Sequence, residues 1–284
     1  MKLGTVGNLL KAPEGTDPWL GRLDRAAEMG LDVIGVWFFR PEERAPDYLK
    51  KVGDYAAKKG IELRTGGGGS FGSANPDERK AAVEQNIERL LDIRKYAGIT
   101  FSSVANLPMS HNRWATEPPM DERIDMIAEG LGAVADGVAS AGMTIGLENH
   151  CDYRGWECAL MLEKANRPNL KAQIDTGNAF TVFEEPVDCA RAMAKWVVSC
   201  HLKDVKVTPL RGAPVFGSVA ETVPLGGGNV DNVAICQILW EQAPDPKSIA
   251  LMVEPLFLAP DADSEEFLKT SIDWCREYLA KYIC

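Results

Sequence analysis

The sequence is poor in histidine, short of positive charge and without paired cysteines, and each shortage removes a class of protein. Histidine occurs only as His111, His150 and His201, too few for a centre built from many imidazoles. Lys and Arg total 31 against 41 Asp and Glu, a formal net charge of −10. A nucleic acid or an anionic membrane is therefore disfavoured as partner, because phosphate binding rests on clustered cationic side chains. The seven cysteines, Cys151, Cys158, Cys189, Cys200, Cys236, Cys275 and Cys284, contain no CxxC pair and read as reduced and mostly buried. No apolar run approaches the roughly 20 residues that cross a bilayer. Met1-Lys2-Leu3-Gly4 leads straight into a strand-like segment with no signal-peptide core, so the expected setting is cytoplasmic. No GxGxxG or P-loop follows that first segment, which argues against a dinucleotide-binding open sheet.

What the 284 residues do contain is a regular alternation. Apolar runs of strand length fall near Leu3 to Asn8, Val33 to Phe38, Ile61 to Thr65, Ile99 to Ala105, Met143 to Glu148, Leu170 to Asp175, Val197 to Lys203 and Ile249 to Glu254. Between them lie segments of helical period such as Asp17 to Met29, Asp77 to Tyr96, Asp121 to Ala141 and Ser264 to Leu279. Eight such alternations predict an α/β protein, a (β/α)8 TIM barrel forming a single domain over residues 1–284. Gly66 to Gly69 and Gly226 to Gly228 read as flexible loops at the barrel mouth, and the Pro- and Gly-rich stretch Val205 to Asn229 as a loop lying over it.

Side chains alternate faces along a strand, which splits each of the last four strands into two sets. Ile145 and Leu147 oppose Thr144, Gly146 and Glu148; Leu170, Ala172 and Ile174 oppose Lys171, Gln173 and Asp175. Val198, Cys200 and Leu202 oppose Val197, Ser199, His201 and Lys203; Ile249, Leu251 and Val253 oppose Ala250, Met252 and Glu254. The apolar sets suit the helix-covered outside of a barrel, so the other sets point inward and end in Glu148, Asp175, His201 and Glu254. Their C-terminal strand ends meet at one mouth, where barrel active sites lie. Three converging carboxylates repel unless a cation joins them. Three carboxylates and one imidazole suit Mn2+ best, with Mg2+ or Co2+ as alternatives, over a thiolate-seeking ion.

At these positions the sequence resembles the sugar phosphate isomerase/epimerase family of xylose-isomerase-like barrels, which includes ketose 3-epimerases, inosose dehydratase and inosose isomerase. The resemblance is carried by GLENH at Gly146 to His150, IDTGN at Ile174 to Asn178, HLKD at His201 to Asp204, PLGGGNVD at Pro224 to Asp231 and VEP at Val253 to Pro255. It implies that Glu148, Asp175, His201 and Glu254 hold one divalent metal ion and that Glu148 and Glu254 also exchange the proton. The implied activity is sugar isomerisation or epimerisation through a metal-stabilised enediolate, with a small-molecule sugar or sugar derivative as partner. A metal-dependent sugar or inosose dehydratase on the same scaffold is the alternative. Relatives of this kind are often homo-oligomers. Ketose 3-epimerases carry a His three positions beyond the metal-binding Asp and an Arg six beyond the metal-binding His; here those places hold Asn178 and Val207.

Further candidates for substrate contact are His150 and Lys203, each two residues beyond a ligand, with Asn178, Glu157, Trp37 and His111. Glu157 matches a substrate-binding Glu of the family and reads equally as a first-turn helix carboxylate. Rings at Trp37, Phe38, Phe39 and Trp114 suit either a sugar wall or core packing. Abasic-site DNA repair, the work of endonuclease IV on a similar barrel, needs a multi-histidine trinuclear zinc site that three histidines cannot build.

Overall fold

The computed structural model describes residues 1–106, 113–210 and 217–284. Eight parallel strands close into a barrel: β1 (Lys2–Val6), β2 (Val33–Val36), β3 (Glu62–Gly69), β4 (Phe101–Asn106), β5 (Thr144–Glu148), β6 (Leu170–Asp175), β7 (Val197–Leu202) and the last barrel strand. Two further strands, β8 (Asp204–Pro209) and β9 (Ser218–Val223), precede that last strand, β10 (Ala250–Val253). Around the barrel the order is β1-β10-β7-β6-β5-β4-β3-β2. Helices α1 (Pro18–Glu28), α2 (Pro46–Lys59), α3 (Pro76–Ala97), α4 (Met120–Ala139), α5 (Gly155–Ala165), α6 (Pro186–Met193), α7 (Asn232–Gln242) and α8 (Ser264–Tyr278) lie between the strands and after the last. No helix of the described residues is long and apolar enough to cross a membrane.

Local chemistry sets the helix starts. Pro18 occupies the first turn of α1, where its missing N–H costs nothing, and the Asp17 carboxylate accepts from the backbone N–H groups of Trp19 and Leu20. Asp263 caps α8 in the same way through Glu265 and Glu266. The outward sets of the strands, Ile145, Leu147, Ala172, Ile174, Cys200, Leu202, Leu251 and Val253, are buried beneath these helices. Each fully covered Leu or Ile contributes about 1.5–3 kcal/mol relative to its exposed state. Inside the barrel, Arg64 of β3 fills the lower end. Its guanidinium lies 4.8 Å above the Phe101 ring, pairs with Glu62 at 2.7 Å and donates to the Val198 carbonyl at 2.7 Å. That carbonyl needs a donor because the β6–β7 register shifts beside it, Ala172 facing Val197 but Gln173 facing Ser199. The same shift aligns Asp175 with His201.

Two expectations are corrected. Gly66 to Gly69 form no loop: they are the last four residues of β3 and pair with Ser103 to Asn106 of β4. At Gly66 a Cβ would lie 2.8 Å from Ser103 Oγ and 2.9 Å from Trp37 Nε1, so the bare backbone leaves the Trp37 ring its place in the mouth. Nor is Val205 to Asn229 simply a loop, because β8 and β9 pair antiparallel from Asp204↔Val223 to Pro209↔Ser218. The five cysteines at 158, 189, 200, 236 and 275 are buried and unpaired, Cys151 is partly exposed and Cys284 exposed.

Candidate metal centre

Glu148 ends β5 and Asp175 ends β6; His201 lies in β7 and Glu254 follows β10 directly. One ligand atom from each lies within 4.8 Å of every other. Glu148, Asp175 and His201 are buried, and Glu254 is partly open. His201 Nδ1 stands 2.9 Å from Glu254 Oε2, 3.4 Å from Glu148 Oε1 and 3.9 Å from Asp175 Oδ2. Oxygen and nitrogen donors without a thiolate fit a hard or borderline divalent ion.

The neighbours of these groups fix their aim. Ser199 Oγ donates to Gln173 Oε1 at 2.8 Å, which turns the Gln173 amide so that its Nε2 donates to Glu148 Oε2 at 2.8 Å. Asn149 ties the ends of β5 and β6 together, accepting from the Asp175 N–H at 2.7 Å and donating to the Asp175 carbonyl at 2.9 Å. The backbone N–H groups of Gly177 and Asn178 donate to Asp175 Oδ1 at 3.0 and 3.1 Å, leaving Oδ2 turned to the cluster. Such outer partners orient ligands and matter to affinity nearly as much as the ligands do. Gln173 and Asn149 were not singled out from sequence, although Gln173 sits on the inward face two residues before Asp175, where the alternation already placed it.

The electrostatics follow from burial and crowding. Burial alone would lower the His201 pKa, but Glu254 and Glu148 outweigh it and hold it up at about 10. Burial raises Asp175 to about 6, helped by Glu254 and Glu148 and opposed by Lys203. Glu254 goes the other way: despite burial, His201 and Lys203 hold it well below the usual carboxylate range. His201 likewise overcomes burial to lower Glu148.

The remaining candidates divide. Lys203 lies among these four side chains, its Nζ 2.6 Å from Asp175 Oδ2 and 3.1 Å from Glu254 Oε2. Asn178 Oδ1 accepts from Lys203 Nζ at 3.3 Å. The Trp37 ring centre is 6.5 Å from that of His201. His150 lies beyond the end of β5, partly exposed, and its Nδ1 has no hydrogen-bond partner among the described residues. Glu157 is buried in the first turn of α5, where it accepts from the Arg154 N–H at 2.7 Å and pairs with Arg113 at 3.1 Å. The capping reading describes its place. Phe38 packs against Trp19, whereas Phe39 is exposed. His111 lies outside the described residues.

The HLKD and PLGGGNVD strings prove to be one device. Asp204 Oδ2 accepts from the backbone N–H groups of Gly226 at 2.9 Å and Gly228 at 3.0 Å, and Oδ1 from Val230 at 3.1 Å. A Cβ at Gly228 would sit 2.2 Å from Asp204 Oδ1, so only glycine lets the backbone come this near. Asp204→Ala is expected to cost about 2 kcal/mol or more, since it strands these N–H groups. Equilibrium urea unfolding checks this, and a midpoint equal to the wild type's would refute the role.

Comparison with known proteins agrees with this architecture. The xylose isomerase-like TIM barrel profile matches residues 23–278. The chain belongs to that family. Among solved structures it is similar to L-ribulose 3-epimerase, 16% identical at a TM-score of 0.77, over 99% of this chain and 95% of that one. D-psicose 3-epimerase of Clostridium cellulolyticum H10, solved with D-tagatose, matches at 15% identity and TM-score 0.75 over 100% of both chains. The IOLI protein, solved with a zinc atom, matches at 17% and 0.74 over 100% of this chain and 99% of that one. At these identities the likeness shows the fold. Uncharacterized protein YihM of Escherichia coli (strain K12) is 19% identical over 182 residues, 59% of this chain; the chain spans 55% of the length of that curated relative.

Proposed function

We propose that the chain is a divalent-metal-dependent sugar isomerase or epimerase in which Glu148 and Glu254 remove and return a proton at one carbon of a small sugar or sugar derivative. The observation that carries this reading is the convergence of Glu148, Asp175, His201 and Glu254 within 4.8 Å at the mouth of the barrel. Strand order supports the roles. Along β10-β7-β6-β5 the two glutamates stand at the ends of the arc, with His201 and Asp175 between them. A substrate held over the arc has a carboxylate on either side.

A divalent ion bound there, Mn2+ first and Mg2+ or Co2+ next, would polarise adjacent carbonyl and hydroxyl oxygens and acidify the carbon between them. The chain's own groups do the rest. Gln173 keeps one oxygen of Glu148 engaged, which holds the other toward the cluster. Trp37 forms an apolar wall beside His201. His150, Asn178 and Lys203 are the polar groups proposed to meet sugar hydroxyls. All the exposed Phe and Trp rings among the described residues, Phe39, Trp114, Trp156, Phe183 and Phe257, lie on segments that follow strand C-terminal ends. They rim the mouth, where ring faces suit the C–H faces of a sugar.

The test is a panel of ketoses, inososes and their phosphates incubated with the protein in deuterated water, with and without chelator, read by NMR and mass. Deuterium entering one carbon, abolished by chelator, is the expected result. A product lighter by water would move the assignment to a dehydratase, and no chelator-sensitive exchange with any sugar would refute it.

A further inference from the structure

Lys203 reaches into the four-residue cluster and meets two of its carboxylates. It follows β7 directly, and its main chain is pinned from both sides: its N–H donates to Thr176 Oγ1 at 2.9 Å, and its carbonyl accepts from Thr176 Oγ1 at 3.0 Å and Asn232 Nδ2 at 2.9 Å. The stem runs past Gly177, where a Cβ would come within 2.8 Å of Lys203 Cβ, so glycine gives it passage. The ammonium, on a residue only 6% exposed, ends 2.6 Å from Asp175 Oδ2 and 3.1 Å from Glu254 Oε2. These oxygens are not incidental. Asp175 Oδ1 is taken by two backbone N–H groups, so Oδ2 is the oxygen left for ligation, and Glu254 Oε2 is also the oxygen nearest His201 Nδ1.

We propose that Lys203 is a tethered counter-ion that holds the four-ligand centre assembled in the metal-free protein and competes with the divalent ion for Asp175 and Glu254, being displaced when the ion binds. The inference rests on the reading that these four residues hold a metal. Its physical basis is simple. Carboxylates packed this closely in a buried place need a cation, and Lys203 supplies one from the chain itself. A divalent ion that takes the same two oxygens meets the ammonium at contact distance, where like charges repel by several kcal/mol even at an effective dielectric of about 20. The four-carbon stem lets the head group withdraw. Asn178 Oδ1, at 3.3 Å and not a member of the ligand set, is the partner it retains.

The test measures Mn2+ binding by titration calorimetry on chelator-treated full-length protein at one pH, for wild type, Lys203→Met and Lys203→Arg, together with the melting temperature of each metal-free protein. Lys203→Met, close in shape but uncharged, is expected to bind Mn2+ at least about tenfold more tightly and to melt lower when metal-free; Lys203→Arg keeps wild-type or weaker affinity. A second readout needs no variant: the Lys203 ammonium resonance in NMR shifts as Zn2+ is added to wild type. Equal or weaker Mn2+ binding by Lys203→Met, or an ammonium signal unmoved by bound Zn2+, overturns the proposal while leaving the metal centre standing. Failure of all three proteins to bind any divalent ion overturns the centre and the counter-ion together.

Discussion

Glu254→Gln is expected to slow deuterium incorporation into substrate by about 10²–10⁴-fold at saturating metal, the usual worth of one positioned acid–base group. The same substitution removes a ligand charge, so metal affinity must be measured first and activity compared with the site filled. Glu254 is the telling position because it is the most open of the four ligands, its side chain 20% exposed against 8% for Glu148 and none for Asp175. It is also held ionised by His201 and Lys203, which keeps it a carboxylate able to accept a proton from carbon. Glu148→Gln is expected to produce a loss of similar size. Its partner Gln173 donates an N–H to Glu148 Oε2, and an amide oxygen at position 148 accepts the same bond, which keeps the fold intact. Exchange within twofold of wild type in both variants, with metal bound, would remove the glutamates from the chemistry.

Much of this was legible in the sequence because a parallel barrel strand carries two kinds of message on alternate residues. The set under the helices must be apolar, and the set inside must fill a narrow interior, so Ile145, Leu147 and Glu148 could be assigned to faces without a structure. The convergence of Glu148, Asp175, His201 and Glu254 was legible for the same reason, each being the last inward residue of its strand or the first beyond it. What escaped has physical causes. Gly66 to Gly69 pair as strand although glycine is poor at it, because the neighbouring ladder of Ser103 to Asn106 supplies the order and the crowding of Trp37 and Ser103 forbids a side chain. Only two of the twelve β8 and β9 residues are buried, so the short alternation of Val205 and Val207 was lost among the surrounding Pro and Gly. The reach of Lys203 is a matter of rotamer, which no spacing reveals; strand alternation gave its side and not its depth.

Metal uptake is expected to depend steeply on pH. In the metal-free protein His201 is held at a pKa of about 10, so at neutral pH it carries a proton that a ligating imidazole must give up. Asp175, raised to about 6, is ionised above that value and adds no further proton. One proton is therefore released per ion bound, and Mn2+ affinity rises about tenfold per pH unit, or about a hundredfold from pH 6.5 to 8.5. Calorimetry in two buffers of different ionisation enthalpy counts that proton directly. Stability runs in the opposite sense without metal. A raised imidazole pKa stabilises the fold fully below about 6.5 and loses that contribution as pH climbs through about 10; Asp175, also raised, loses its contribution as pH climbs from 3.8 through about 6. The melting temperature gained on adding Mn2+ should accordingly widen with rising pH, because the ion supplies at high pH the positive charge that His201 surrenders. His201→Asn, with no titrating ring, should flatten the affinity slope. Affinity independent of pH over this range would mean that His201 is already neutral in the metal-free protein, and the charge balance drawn here for the centre would be wrong.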